Sequence, residues 1–225
     1  MPYDVIIVDD HPLYRAALRA AIAGACPAGR FHEADSVAAM LENLEHAPGA
    51  DLLLLDLNLP GAHGFSALAY VRGTYPQLPV LVVSATDDAS TVHQSLAFGA
   101  QGFLSKSANA ASICNCVRAV LRGELVVPED YEAPRAQATD AAALDVAERL
   151  AELTPQQFRV FSMLCSGRLN KQIAHELQVT EATVKAHMTA IMRKLGAANR
   201  TQAVLFAARL MINPGDLKPQ PEEVD

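Results

Sequence analysis

Short apolar runs alternate with amphipathic segments through the first half of the sequence, and this alternation restricts the possible folds more than any other feature. The runs are nearly continuous rather than alternating, which indicates strands buried on both faces of a parallel sheet. The pattern therefore predicts an α/β fold with a doubly wound, five-stranded parallel (βα)5 sheet. The runs are VIIV at 5–8, the weaker RFHEA at 30–34, DLLLLDL at 51–57, PVLVVSA at 79–85 and QGFLSK at 101–106, with helix-like segments near 12–23, 36–46, 64–73, 89–98 and 109–122.

After Gly123 the alternation stops, and the rest of the chain is organised differently. The next residues are rich in Pro, Ala and acidic side chains, so we interpret them as a linker with some helix near its end. From Leu153 onward the pattern is helical. The predicted units are an α/β domain at 1–123, a linker at 124–148, a small all-α domain of four helices at 149–213 and a disordered tail at 214–225.

Capping residues mark the starts of the helices in the all-α domain. Thr154-Pro155-Gln156-Gln157 has the pattern of a capping box with Pro at the first helical position. The following helices are predicted to be capped by Asn170, Thr180 and Asn199, and the last of them is expected to run from Arg200 to Met211.

Charge is divided unevenly between the two halves. The net charge is −7, but residues 1–130 hold 7 basic and 14 acidic side chains, whereas residues 147–212 hold 9 basic and 4 acidic ones. A compact basic module beside an acidic one predicts a nucleic-acid partner. The four cysteines lack disulfide or zinc spacing, and the apolar runs are too short to span a membrane, so we expect a reduced, cytoplasmic protein.

Polar and charged residues stand at the ends of four predicted strands. Asp9 and Asp10 follow the first strand, Asp56 ends the third, Ser84 ends the fourth and Lys106 ends the fifth. Because the carboxyl ends of such strands meet at one edge of the sheet, we expect these side chains to lie together. Each has a simpler explanation when taken alone, since paired aspartates often cap a helix and a single Ser or Lys is often solvated. The complete set on the right strands favours a site.

Three carboxylates can share one edge if a divalent cation neutralises them, and all-oxygen ligation favours Mg²⁺. A carboxylate in that position can attack phosphorus and form an aspartyl phosphate. Asp56 is the best candidate nucleophile because it ends the central strand before the loop LNLPGAHG, which we expect to be exposed. The predicted partners are Asp9, Asp10, Asp56 and the Asn58 backbone carbonyl for the metal, and Ser84 and Lys106 for the phosphoryl oxygens.

Residues 3–122 resemble the receiver domain of a two-component response regulator through the motifs VDDHPLYR, LLLDLNLPGAHG, VVSA and GAQGFLSK. The resemblance implies that Asp56 is phosphorylated by the phospho-histidine of a sensor histidine kinase. It also implies that Asp10 binds Mg²⁺ directly and that Asp9 acts largely through water.

The same resemblance assigns roles to three further positions. Ser84, where Thr is commoner, would read the phosphate together with Lys106. Phe103 occupies the position of the family's switch aromatic, which is often Tyr. Because Phe has no hydroxyl group, a rotamer switch at this position would rest on packing alone.

The basic half contains two helices joined by a tight turn, in the sequence NKQIAHELQVTEATVKAHMTAIMRKL. In the second helix, apolar residues recur at helical spacing from Val184 to Leu195 and form one stripe. The opposite face carries cations and small side chains, which suit a helix lying in the major groove of DNA. This helix alone fits a solvated amphipathic helix equally well, but the tight turn and the charge balance favour DNA.

This half resembles the LuxR-type helix-turn-helix from LTPQQ to NRTQAV. The resemblance implies four helices, with residues 181–195 as the recognition helix and the last helix as the dimer interface. Some members carry Lys at the position of Thr189, so base preference is left open. The implied DNA-binding residues are Lys171, Thr183, Lys185, Ala186, Thr189, Arg193 and Lys194, and the implied dimerisation residues are Val204, Leu205, Ala208 and Met211.

Together the two resemblances imply a DNA-binding transcriptional response regulator of the NarL/FixJ type, which is not an enzyme. Phosphorylation of Asp56 would switch its dimerisation and its binding to two DNA half-sites. One alternative is a phosphorylation-independent DNA-binding regulator with a vestigial receiver, against which the complete set of strand-end residues argues. Another is a Mg²⁺-dependent phosphatase of the haloacid dehalogenase type, which needs a second Asp two residues after the nucleophile, where this chain has Asn58.

Overall fold

A computed structural model of the chain describes residues 2–60, 62, 64–132, 145, 149–150 and 152–208. In its first half, five parallel strands form one sheet in the order β2-β1-β3-β4-β5. This confirms the predicted doubly wound sheet, with the third strand in the centre. The strands are β1 (Asp4–Val8), β2 (Arg30–Ala34), β3 (Leu52–Asp56), β4 (Val80–Ser84) and β5 (Gly102–Ser105).

Helices cover both faces of this sheet, which explains why the central strands β1, β3 and β4 are apolar on both sides. Val5 and Ile7 pack in a cluster with residues of the first and fifth helices, whereas Ile6 and Val8 pack in a cluster with residues of the other three. The five helices are α1 (Pro12–Ala25), α2 (Val37–His46), α3 (Ser66–Thr74), α4 (Ala89–Ala97) and α5 (Ala110–Leu121).

The beginning of the predicted linker belongs structurally to the sheet. Val126 forms a parallel bridge with Gly102: its N–H donates to the carbonyl of Gln101 at 3.1 Å, and its carbonyl accepts from the N–H of Phe103 at 2.9 Å. A Cβ on Gly102 would lie 2.9 Å from the Cβ of Val126, so this approach requires glycine. Residues near 126 of the predicted linker therefore pair with the edge of β5 and satisfy its backbone groups.

The second half contains α6 (Pro155–Cys165), α7 (Asn170–Glu176), α8 (Glu181–Leu195) and α9 (Arg200–Ala208). The capping box of Thr154 and Gln157 and the caps at Thr180 and Asn199 are confirmed. Asn170 is not a cap, because α7 already begins there and Leu169 is the N-cap residue. The predicted end of the last helix at Met211 lies outside the described residues, as do most of the predicted linker and the tail.

Among the described residues, no helix combines the length and the apolar character that crossing a membrane requires.

Candidate phosphoacceptor site and nucleic-acid interface

The carboxyl ends of four strands bring the predicted site residues together. Asp9 directly follows β1, Asp56 and Ser84 are the last residues of β3 and β4, and Lys106 directly follows β5. The side chains of Asp9, Asp56 and Ser84 are buried. The loop after Asp56 is less exposed than predicted, because Leu57 and Leu59 pack into the core.

Lys106 joins two of the carboxylates. Its Nζ lies 2.7 Å from Oδ2 of Asp56 and 2.7 Å from Oδ2 of Asp9. Burial raises the pKa of the Asp56 carboxyl, although the hydrogen bond from Lys106 opposes this shift. Burial by itself would lower the pKa of the Lys106 ammonium, but the hydrogen bonds to the two carboxylates raise it. The site therefore favours a cation against the candidate nucleophile.

The acidic cluster has the composition of a cation site. Ligand atoms of Asp9, Asp10, His11 and Asp56 all lie within 4.8 Å of one another. Asp10 is partly exposed, and its Oδ1 lies 2.7 Å from Nδ1 of His11. The N–H of Asn58 donates to Oδ1 of Asp56 at 3.1 Å, which holds the next loop against the candidate nucleophile. Sequence reasoning missed His11, although its position beside two aspartates was a visible signal.

The two candidate switch residues lie on neighbouring strands. The Oγ of Ser84 accepts a hydrogen bond from the N–H of Thr86 at 3.1 Å, which leaves the Ser84 hydroxyl proton available for a phosphoryl oxygen. Phe103 is almost fully buried and belongs to the main core cluster.

Tyr14 is a site neighbour that the sequence analysis did not identify. The Nζ of Lys106 lies 5.1 Å from the centre of the Tyr14 ring, within the range of a cation–π contact. Burial, together with the charges of Asp9 and Asp56, raises the pKa of Tyr14 to about 12. The ring thus packs against the ammonium beside the two carboxylates. Tyr14 lies in the first turn of α1, four residues after Asp10, and this position could have indicated the contact.

The helix α8 presents the face that the sequence predicts. Its apolar stripe is buried and consists of Val184, Met188, Ile191 and Leu195. The opposite face is exposed at Lys185, Ala186, Thr189 and Arg193.

The other candidate DNA-binding residues differ in how free their side chains are. Lys171 is exposed, and Thr183 is half-buried with its hydroxyl 2.9 Å from that of Thr180. The Nζ of Lys194 donates to the carbonyl of Glu152 at 2.6 Å and to Oε1 of Gln157 at 2.7 Å. Lys194 therefore ties the end of α8 to the start of α6.

The predicted dimer face on α9 is partly described. Leu205 is 58% exposed and Val204 is half-buried. The side chain of Ala208 and the whole of Met211 lie outside the described residues.

Comparisons with known proteins cover both halves of the chain. A family model described as the response regulator receiver domain matches residues 5–118, and one described as bacterial regulatory proteins, luxR family, matches residues 151–207. The glycerol metabolism activator of Pseudomonas putida is 37% identical over 91% of this chain and 95% of its own length. The nitrate/nitrite response regulator protein NarL of Escherichia coli K12 is 28% identical over 91% of this chain and 94% of its own.

A solved structure of two RcsB dimers bound to two parallel DNAs has the same fold. It matches with a TM-score of 0.54 and 20% identity over 94% of this chain and 100% of that one.

Proteins that combine a receiver domain with a helix-turn-helix domain form one class, the DNA-binding transcriptional regulators that carry a receiver domain. The chain belongs to the response regulators with a receiver domain and a LuxR-type DNA-binding domain.

Proposed function

We propose that Asp56 is the phosphoacceptor of this regulator and that a sensor histidine kinase is its phosphodonor. The observation that carries the proposal is the Lys106 Nζ at 2.7 Å from Oδ2 of Asp56, within the acidic cluster at the strand ends. An ammonium held there can bind an oxygen of the incoming phosphoryl group. The same cation offsets part of the repulsion between Asp56 and Asp9.

In the proposed transfer, a carboxylate oxygen of Asp56 forms a bond to phosphorus while the phosphorus–nitrogen bond to the kinase histidine breaks. The electron pair of that bond stays on the imidazole, which takes up a proton. Lys106 and the hydroxyl of Ser84 then bind phosphoryl oxygens. Because Asp56 is buried, few water molecules compete with it for the phosphorus.

The donor set fits Mg²⁺, because it consists mainly of carboxylate oxygens within 4.8 Å of one another. The residues proposed to hold the ion are Asp9, Asp10, Asp56 and the backbone carbonyl of Asn58. A bound Mg²⁺ would neutralise negative charge on the carboxylates and on the phosphoryl oxygens.

The output is proposed to be DNA binding through α8, with Lys185, Ala186 and Thr189 facing base edges. The exposed face of α8 supports this proposal, and Lys171 and Arg193 would contact phosphates. A homodimer formed through α9 would bind two half-sites. We propose a cytoplasmic protein with no enzymatic activity beyond accepting, and slowly losing, its own phosphoryl group.

The test is incubation of the full chain with acetyl phosphate and MgCl₂, followed by intact-mass measurement and peptide mapping. We expect one phosphoryl group, located on Asp56, that is not acquired when EDTA replaces MgCl₂. Binding to DNA selected from a random duplex pool should then differ between the two forms. A chain that stays unmodified but still binds DNA would favour the vestigial-receiver alternative.

A further inference from the structure

The helix α3 is buried on more sides than the sheet can cover. Every residue from Ser66 to Val71 is buried, although a helix on an open sheet normally keeps one face in water. The additional cover comes from the DNA-binding domain. The Tyr70 ring of α3 stacks on the Phe158 ring of α6 with centroids 4.1 Å apart and an interplanar angle of 12°, and both side chains are fully buried.

A charged contact flanks this aromatic stack. Nη2 of Arg159 donates to the carbonyl of Ala38 at 3.0 Å and to Oε1 of Glu42 at 3.0 Å, and both partners lie on α2. Arg159 is mostly buried, whereas Glu42 is mostly exposed. We call this contact of Ala38, Glu42, Tyr70, Phe158 and Arg159 the α6 dock.

The α6 dock buries apolar surface from both domains in one continuous cluster. Core residues of the sheet and of the helix-turn-helix belong to the same group of packed side chains. Stacked aromatic pairs contribute about 0.5–1.5 kcal/mol beyond the area that they bury. Relative motion is the default for two linked domains, and an apolar contact of this kind restricts it.

The α6 dock leaves the proposed reading surface open. In the whole chain, Lys185, Thr189 and Arg193 remain exposed, and so does Leu205 on the proposed dimer face. The receiver therefore contacts a surface of the DNA-binding domain that differs from the proposed base-contacting surface and from the proposed dimer interface.

We propose that the α2–α3 surface of the receiver is the docking surface for the chain's own DNA-binding domain, and that it holds α8 at a fixed place without covering it. The docked chain is then competent to bind DNA. When two copies pair through α9, the dock fixes where each receiver lies relative to the bound DNA. This consequence rests on the proposed function, whereas the docking contact itself does not.

Charge reversal tests the docking contact in the full chain. Glu42→Arg places two cations against each other, Arg159→Glu places two carboxylates there, and the double variant restores an opposite pair. The measurement is hydrogen–deuterium exchange of the α3 and α6 peptides. The matched control is Glu124→Arg, because Glu124 pairs with Arg122 inside the receiver at 2.6 Å.

We expect several-fold faster exchange in both peptides for each single variant, recovery in the double variant and no change in the control. Glu42→Arg keeps the test valid even if Arg159→Glu weakens the DNA-binding domain itself. Unchanged exchange in α3 and α6 for Glu42→Arg, or no recovery in the double variant, would overturn the dock.

Small-angle X-ray scattering of the chain bound to a selected duplex tests the consequence. The parent chain and the double variant should give one narrow distance distribution, whereas Glu42→Arg should give a broader and more extended one. Equal distributions for all three would refute the role of the dock while leaving DNA binding intact. A failure of the parent chain to select any sequence from a random duplex pool would instead contradict the proposed function.

Discussion

In the receiver, the side chains proposed to handle a phosphoryl group come from the ends of four strands, whereas in the DNA-binding domain the proposed reading side chains lie mainly on one helix. Asp9 and Lys106 are 97 positions apart in the sequence yet lie within 2.7 Å of each other. Lys185 and Thr189 are one helical turn apart, and the Thr189 hydroxyl donates to the Lys185 carbonyl at 3.0 Å. The first site is buried and the second is exposed.

This difference determines how each surface should respond to substitution. The receiver site depends on a few groups that contact one another, so the loss of one group should be close to all-or-none. The reading surface is a row of side chains that contact DNA separately, so its losses should be graded and partly additive. Four sets of substitutions test this difference.

Asp56→Asn should have the largest effect. The amide is too weak a nucleophile to attack phosphorus, so phosphorylation should be abolished, as measured by intact mass after incubation with acetyl phosphate and MgCl₂. Burial disfavours the ionised carboxylate, and Lys106 keeps its contact with Asp9, so the free energy of unfolding should stay unchanged or rise. DNA binding by the unmodified chain should be retained. Phosphate found on another residue of the variant would show that Asp56 is not the phosphoacceptor.

Val184→Asp should unfold the DNA-binding domain. Val184 is fully buried, and an unpaired charge in its place should cost at least about 3 kcal/mol. The matched control is Ala186→Asp, which places the same side chain on the exposed face of the same helix. Circular dichroism should show lost helix for the first variant and a parent-like spectrum for the second. If both variants fold equally well, the assignment of the two faces is wrong.

Lys185→Ala should weaken DNA binding without affecting the fold. If the ammonium bonds a base edge, the loss should be about 1–3 kcal/mol and should relax preference at one base pair. Lys171→Ala is the comparison, because a phosphate contact should lower affinity similarly for every sequence and reduce the log–log salt slope by about 1. Titrations on selected and scrambled duplexes at several salt concentrations distinguish the two. Parent-like affinity of Lys185→Ala for both duplexes would exclude α8 as the reading element.

The contrast between a site assembled from strand ends and a surface on one helix also explains what the sequence could predict. Strand-end residues could be assembled from topology, because parallel strands of a doubly wound sheet share an edge, and the faces of α8 followed from its periodicity. The pairing of Val126 with β5 was not predictable, because an acidic, proline-containing segment has no strand pattern. The stack of Tyr70 on Phe158 was also missed, since an apolar side chain on a helix indicates burial but not its partner. The cation–π contact of Tyr14 with Lys106 was missed for the same reason.

Substitution of helix N-caps should have the smallest effect on stability. The caps also differ between the two domains. Asp88 caps α4 with a carboxylate, whose pKa is lowered mainly by the hydrogen bond from the Thr91 side chain, while Thr180 caps α8 with a neutral hydroxyl. Asp88→Ala and Thr180→Ala should each cost about 1 kcal/mol at neutral pH, as measured by urea denaturation.

Acid should separate the two caps. A carboxyl whose folded-state pKa is lowered contributes stability above its unfolded value of about 3.9, and that contribution is lost as the pH falls through the folded-state pKa. The deficit of Asp88→Ala relative to the parent should therefore shrink in acid, while that of Thr180→Ala should persist. Asp88→Asn is the control, because it keeps an oxygen acceptor that does not titrate. Its stability relative to Asp88→Ala should not depend on pH, and a deficit of Asp88→Ala that stays constant into acid would show that the charge of Asp88 contributes nothing to the cap.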